Sequence, residues 1–150
     1  MTGAYPAPHR GTQPRARLLL NVTLLVFLAE DDAVPEPLSF ELTPQELQRR
    51  QAAGEKVRLV DVREPWEYQT ARLEGAELIP MGDVPAALPQ LEAIEEPVVV
   101  YCHHGVRSLR VAAWLRNQGL EEVQSLAGGI DRWSLEIDPA VPRYTLGSRP

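Results

Sequence analysis

Cysteine is nearly absent: the chain has one in 150 residues. A single thiol excludes an internal disulfide framework. A chain of this length needs none, because it can bury roughly two thirds of the surface its unfolded form exposes. Positive charge is in the minority, with 15 Lys and Arg against 21 Asp and Glu and a net charge of -6. That balance excludes an electrostatic grip on nucleic acid, which rests on phosphates neutralised by clustered Lys and Arg. Long apolar runs are lacking too. Leu18 to Ala29 has twelve residues broken by Asn21 and Thr23, against about 20 needed to span a bilayer. Arg10, Arg15 and Arg17 precede that stretch as in a secretory leader, but no small-x-small cleavage signature follows it. The expectation is a cytoplasmic protein with no membrane span. With 44% apolar and 24% charged residues, one globular domain is the natural reading.

What is present is regular punctuation from Leu38 onward. Residues 1–37 are read as an N-terminal extension, 38–137 as the domain and 138–150 as a C-terminal tail. Within the extension, the apolar stretch fits a packed strand, a packed helix or a loose segment. Thr43-Pro44-Gln45-Glu46 has the form of a capping box with proline at the first helical position, predicting a helix to about Ala53 closed at Gly54. Val57 to Val62 is a predicted strand, with a brief helix starting at Glu64-Pro65. Glu77 to Ile79 is a short strand, and Asp83 is placed as the cap of a helix over Val84 to Ile94. Pro97 to Tyr101 is the clearest strand. Its continuous β-branched residues predict burial on both faces, as in a parallel sheet. Ser108 to Gln118 is a predicted helix ending at Gly119, Val123 to Leu126 a last strand, and Gly128-Gly129 leads into a final helix holding Ile130, Trp133 and Leu135. Trp66, Trp114 and Trp133 sit among apolar neighbours and are read as core. Strands alternating with helices indicate a parallel α/β sheet covered on both faces, whose ligands bind beyond the carboxyl ends of its strands.

That rule directs attention to Tyr101-Cys102-His103-His104-Gly105-Val106-Arg107-Ser108, where the best strand ends and a helix is about to begin. A free Cys often only fills space at a strand end. A packing cysteine, however, does not require a glycine-containing, Arg-closed loop ahead of a helix. The start of a helix offers unpaired N–H groups and partial positive charge, both of which stabilise an anion. A thiolate is such an anion, and helix N-termini and nearby cations generally lower thiol pKa values from about 8.5 into the range of about 3.5 to 7.5. Gly105 lets the loop curl so that N–H groups from His103 through Arg107 form a nest, and Arg107 supplies a fixed cation.

Across about Ser39 to Ile137 the chain resembles the rhodanese-like domains, a family of sulfurtransferases of α/β fold. The carrying segments are Leu42-Thr43-Pro44-Gln45-Glu46-Leu47, Leu59-Val60-Asp61-Val62-Arg63-Glu64-Pro65-Trp66-Glu67-Tyr68 and Gly75-Ala76-Glu77-Leu78-Ile79-Pro80. They continue with Val98-Val99-Val100-Tyr101-Cys102, Gly105-Val106-Arg107-Ser108 and Leu126-Ala127-Gly128-Gly129-Ile130-Asp131-Arg132-Trp133. The resemblance implies a three-layer fold with a mostly parallel central sheet and helices on both faces. It implies that Cys102 takes a sulfane sulfur from a donor such as thiosulfate or a persulfide and holds it as a persulfide. A thiol, cyanide or a sulfur-carrier protein then accepts it, with glutathione and thioredoxin-like proteins among the implied partners. His103, His104, Gly105, Val106, Arg107 and Ser108 would line the substrate position, with Arg107 attracting an anionic donor. Asp61 and Arg63 would brace the loop by hydrogen bonds and ion pairing. No metal or organic cofactor is implied.

Four residues separate Cys102 from Arg107. The rhodanese-fold phosphatases resemble this loop but carry one residue more, making room for a phosphate, so the spacing here favours sulfur over phosphatase or arsenate reductase chemistry. Where the family usually has Gly-His-Ile-Pro-Gly-Ala, the chain reads Ala71-Arg72-Leu73-Glu74-Gly75-Ala76, a departure in what is read as scaffold. His103 and His104 allow three readings: donor recognition, acidification of Cys102 by a protonated ring, or exposed rings beside working backbone groups. A Cys-His-His metal site is disfavoured, because three consecutive residues cannot easily aim at one tetrahedral ion. With no second cysteine, the sulfur must leave to an external acceptor. The rival reading is a sulfur-relay or protein-interaction module of this fold that does not turn over free thiosulfate.

Overall fold

Val98, Val99 and Val100 are β-branched, stiff at χ1 and suited to a pleated, buried surface. In the computed structural model, which describes residues 36–149, they form the third strand across a sheet of five. The strands are β1 (Glu41–Leu42), β2 (Arg58–Asp61), β3 (Glu77–Leu78), β4 (Val98–Tyr101) and β5 (Val123–Leu126). Their order across the sheet is β1-β5-β4-β2-β3. Every pairing is parallel, where mostly parallel was expected. The helices are α1 (Pro44–Ala52), α2 (Pro65–Thr70), α3 (Leu88–Glu92), α4 (Val106–Asn117) and α5 (Gly129–Glu136). Among the described residues, no helix is long and apolar enough to cross a membrane. The extension and its apolar stretch Leu18 to Ala29 lie outside the described residues.

Alternation along the strands divides the core into two layers. Leu59, Val99 and Tyr101 pack with Leu47, Leu126, Ile130 and Trp133 on one side of the sheet. Val60, Val98 and Val100 pack with Val111, Ala112 and Leu115 of α4 on the other. All four residues of β4 are buried, as its unbroken apolar run predicts. The chain leaving β2 sends Ala71 and Leu73 to the first layer, whereas β4 feeds α4 in the second. The two loops therefore part at the carboxyl ends of neighbouring strands, which is where such sheets open a ligand crevice.

Several expectations change in detail. Asp83 does not cap a helix over Val84 to Ile94: it ends a 3-10 turn, Met81–Asp83, and only Leu88–Glu92 is helical. Pro85 and Pro89 explain the shortening, since each removes an N–H donor and crowds the preceding turn. At α1, Thr43 Oγ1 accepts from the Glu46 N–H at 3.2 Å, but the Glu46 carboxylate pairs with Arg49 and Arg50 and does not reach back. β1, two residues long, was not foreseen, because alternation has no meaning over so short a run. The segment expected as a tail returns Tyr144 to the first core layer, edge-on to Trp66 with ring centroids 5.7 Å apart.

Candidate active site

Cys102 is the first residue beyond β4, and its side chain enters the layer under α4, leaving it 1% exposed. The chain must reverse within three residues to begin α4, and Gly105 makes that possible with φ +98°. A Cβ there would sit in the left-handed region and 3.1 Å from the Gly128 nitrogen. The reversal turns N–H groups onto the sulfur. Gly105 N–H donates to Sγ at 3.1 Å, Ser108 N–H at 3.4 Å, and Ser108 Oγ lies 3.4 Å away. Ser108 Oγ is itself held by Ser125 Oγ of β5 at 2.8 Å. The first turn of α4 thus points its otherwise unpaired donors at one buried sulfur.

The carbonyl side of the same loop is held from below. Ile130 N–H donates to the Cys102 carbonyl at 2.9 Å and Asp131 N–H to the His103 carbonyl at 3.1 Å. These two residues open α5, so one helix start fastens the loop's acceptors while another supplies donors to the sulfur. Gly129, at φ +63°, lets the two segments meet: a Cβ there would strike the Cys102 and His103 carbonyl oxygens.

A chain of buried polar groups lies beside this loop. Arg63 is fully buried and forks onto Asp61, Nε to Oδ1 at 2.9 Å and Nη2 to Oδ2 at 2.6 Å. Burial opposes the guanidinium charge, but Asp61 outweighs it and moves the Arg63 pKa up. Its remaining donors reach the Ala71 carbonyl and Tyr144 Oη, each at 2.7 Å. Tyr144 in turn donates to Glu67 Oε1 at 2.9 Å. Glu67, 1% exposed, also takes both terminal nitrogens of Arg107 at 2.7 and 2.9 Å and the Glu64 N–H at 2.9 Å. Burial works against this carboxylate, yet Arg107, the Glu64 N–H and the Tyr144 hydroxyl hold its pKa down at about 2.

These contacts revise three sequence expectations. Arg107 is not a lone cation: both terminal nitrogens hydrogen-bond Glu67, while its side chain stays 28% exposed and within electrostatic reach of Cys102. Asp61 and Arg63 sit next to the loop, but their hydrogen-bonded route to it runs through Tyr144 and Glu67. The nest of N–H groups at the sulfur comes from Gly105 and Ser108, not from the whole run His103 to Arg107; Val106 opens α4 with its side chain 62% exposed. The histidines divide. His103 is buried, stacked between Tyr144 at 4.1 Å and His104 at 3.9 Å, and burial and then His104 push its pKa down. His104 is exposed, with Nε2 3.6 Å from Asp131 Oδ2.

Ligand-capable atoms of His103, His104 and Asp131 lie within 4.8 Å of one another, without Cys102, and Asp131 is already forked by Arg143 at 2.8 and 3.2 Å. Away from this site, a cleft of about 330 Å³ lies at the amino ends of β4 and β5, lined by Glu92, Glu95, Glu96, Glu121 and Glu122. Glu67 and Tyr144 escaped the sequence reading. For Glu67 the signal was available, three residues after Glu64 at a helix start. For Tyr144 there was none, because its place is set by residues far away in the chain.

A probable adenylyltransferase/sulfurtransferase, MoeZ, of Mycobacterium tuberculosis is 32% identical over 136 residues, covering 87% of this chain and 34% of that protein. The chain thus spans about a third of that relative's length. The thiosulfate sulfurtransferase GlpE of Vibrio cholerae is 39% identical over 75 residues, 50% of this chain and 70% of that protein. The structure of the human single-domain sulfurtransferase TSTD1 superposes with a TM-score of 0.58 at 26% identity, covering 66% of this chain and 98% of that one. A family profile described as the rhodanese-like domain matches residues 43–136, and with it and the parallel sheet that ends in a cysteine loop, the chain belongs to the rhodanese-like domain family.

Proposed function

We propose that this chain is a sulfurtransferase that carries a sulfane sulfur on Cys102. The observation that carries the reading is the convergence of the Gly105 and Ser108 N–H groups on one buried sulfur at the start of α4. Donors fixed before reaction stabilise developing negative charge without reorganising.

In the first step the Cys102 thiolate attacks the outer sulfur of thiosulfate. A new S–S bond forms at Cys102, the sulfur–sulfur bond of thiosulfate breaks, and sulfite leaves with its electron pair. In the second, a thiophilic acceptor such as cyanide or a thiol attacks the terminal persulfide sulfur, and the thiolate leaves again. Splitting one transfer into two gives ping-pong kinetics. The donor's charge is met by backbone N–H groups and the α4 N-terminus, with the Glu67-paired Arg107 beside them and His103, His104 and Val106 in the same loop. The lone cysteine leaves the second step to an external thiol, cyanide or a sulfur-carrier protein, and an unpaired thiol suits the reducing cytoplasm.

The test is the intact mass of wild type and Cys102→Ser after thiosulfate, before and after cyanide, with thiocyanate assayed in parallel. Expected is a gain of one sulfur atom confined to wild type and discharged as thiocyanate. No gain on a Cys102 that alkylation shows to be reachable overturns thiosulfate as donor and leaves a partner-fed relay module.

A further inference from the structure

Tyr144 follows α5 by several residues, yet it is connected to both ends of the cysteine loop, directly to His103 and through Glu67 to Arg107. Its ring lies flat on His103, the residue after Cys102, with centroids 4.1 Å apart and planes 11° from parallel. Its hydroxyl accepts from Arg63 at 2.7 Å and donates to Glu67 at 2.9 Å, and Glu67 holds Arg107 in the first turn of α4. The segment that delivers it is seated by the Arg143 fork on Asp131 and by Ser134 Oγ donating to the Val141 carbonyl at 2.6 Å. His103 Nε2 is buried with no hydrogen-bond partner, so its ring is oriented by the two rings stacked on it. One of those, His104, is 61% exposed; Tyr144 is 8% exposed and is the fixed one.

We infer that Tyr144 is a positioning residue for the sulfur-carrying loop, clamping His103 directly and Arg107 through Glu67. Its effect on turnover rests on Cys102 being the sulfur carrier; its effect on the order of the loop does not. A loop that presents donors to a sulfur gains from being held, since a misplacement of the order of 1 Å can cost about a hundredfold in rate. Tyr144→Phe keeps the stacked ring and removes the hydroxyl shared by Arg63 and Glu67. Tyr144→Leu removes both.

Hydrogen exchange of the amides of residues 103–108, beside those of β4 and β5, separates loosening of the loop from general destabilisation. In Tyr144→Leu the loop amides are expected to exchange about tenfold faster over and above any rise in the strand amides, which reports the stability lost with the hydroxyl shared by Arg63 and Glu67. The kcat for thiosulfate is expected to fall about tenfold with KM changing less, and Tyr144→Phe to lie between. Wild-type loop exchange and kcat in both variants would overturn the assignment. So would exchange rising equally in β4 and β5, which makes Tyr144 a residue of general stability. A wild type that takes no sulfur from thiosulfate, alongside loop amides that loosen in Tyr144→Leu, defeats the sulfurtransferase reading and supports the positioning role.

Discussion

The loops that leave β2 and β4 lie side by side at one end of the sheet and are built from opposite materials. At the end of β2 and in the segment that follows it, Asp61, Arg63 and Glu67 are buried charges, each matched by another charge or a hydroxyl. After β4, the group at the centre is a single thiol, surrounded by backbone N–H groups and the Ser108 hydroxyl. A charge already paired in a dry place has little left to offer a substrate and a large cost if its partner goes. Donors gathered on a lone sulfur are in the reverse position. Arg107 shows that sequence distance from the cysteine does not decide membership: it stands in the first turn of α4 but belongs, by its fork on Glu67, to the paired group.

Changes after β2 should therefore strike stability, and changes after β4 should strike the rate of sulfur transfer. The largest effect is expected from Asp61→Ala, which leaves the Arg63 guanidinium buried without its partner and should cost about 3 to 5 kcal/mol in urea unfolding. Replacing Arg63 by Met in the same chain should recover part of that loss; an unchanged loss in the double variant would show that the pairing itself is not what Asp61 supplies.

Next comes acid sensitivity. The folded pKa of Glu67, about 2, lies below the ordinary 4.5, so its stabilisation is complete above pH 4.5 and disappears as pH falls toward 2. Wild type should lose about 3 kcal/mol more than Glu67→Gln across that interval, measured as the urea midpoint against pH. Parallel profiles for the two proteins would break the comparison.

The smallest effect is expected after β4. Ser108→Ala removes the hydroxyl at 3.4 Å from the sulfur while keeping the N–H donor, so sulfur loading should slow by about fivefold for a stability loss of about 1 kcal/mol. A stability loss as large as that of Asp61→Ala would erase the distinction between the loops.

Much of this could be read along the chain. The unbroken valines of β4, the glycine-containing loop after it and the helix that follows are local patterns, and local patterns report what a residue's immediate neighbours demand. They place Cys102 at a strand's carboxyl end. The differences have a common character. Spacing along the chain puts Arg107 five residues from Cys102, but its hydrogen-bonded partner is Glu67, brought in from another strand's loop. Asp83 was given a helix because a cap is a local signal, but two prolines cut the helix short.

What the sequence alone determined is the order of elements after β1, apart from the shortened helix before β4, the parallel character of the sheet and the place of Cys102 just beyond a strand's carboxyl end. Burial on both faces and the switch from strand to helix are written in neighbouring side chains. What only the tertiary structure decided is which polar groups are spent and which are free. The Arg63–Tyr144–Glu67–Arg107 chain is assembled from three separate segments, and an ion pair depends on distance in space, which sequence spacing does not set.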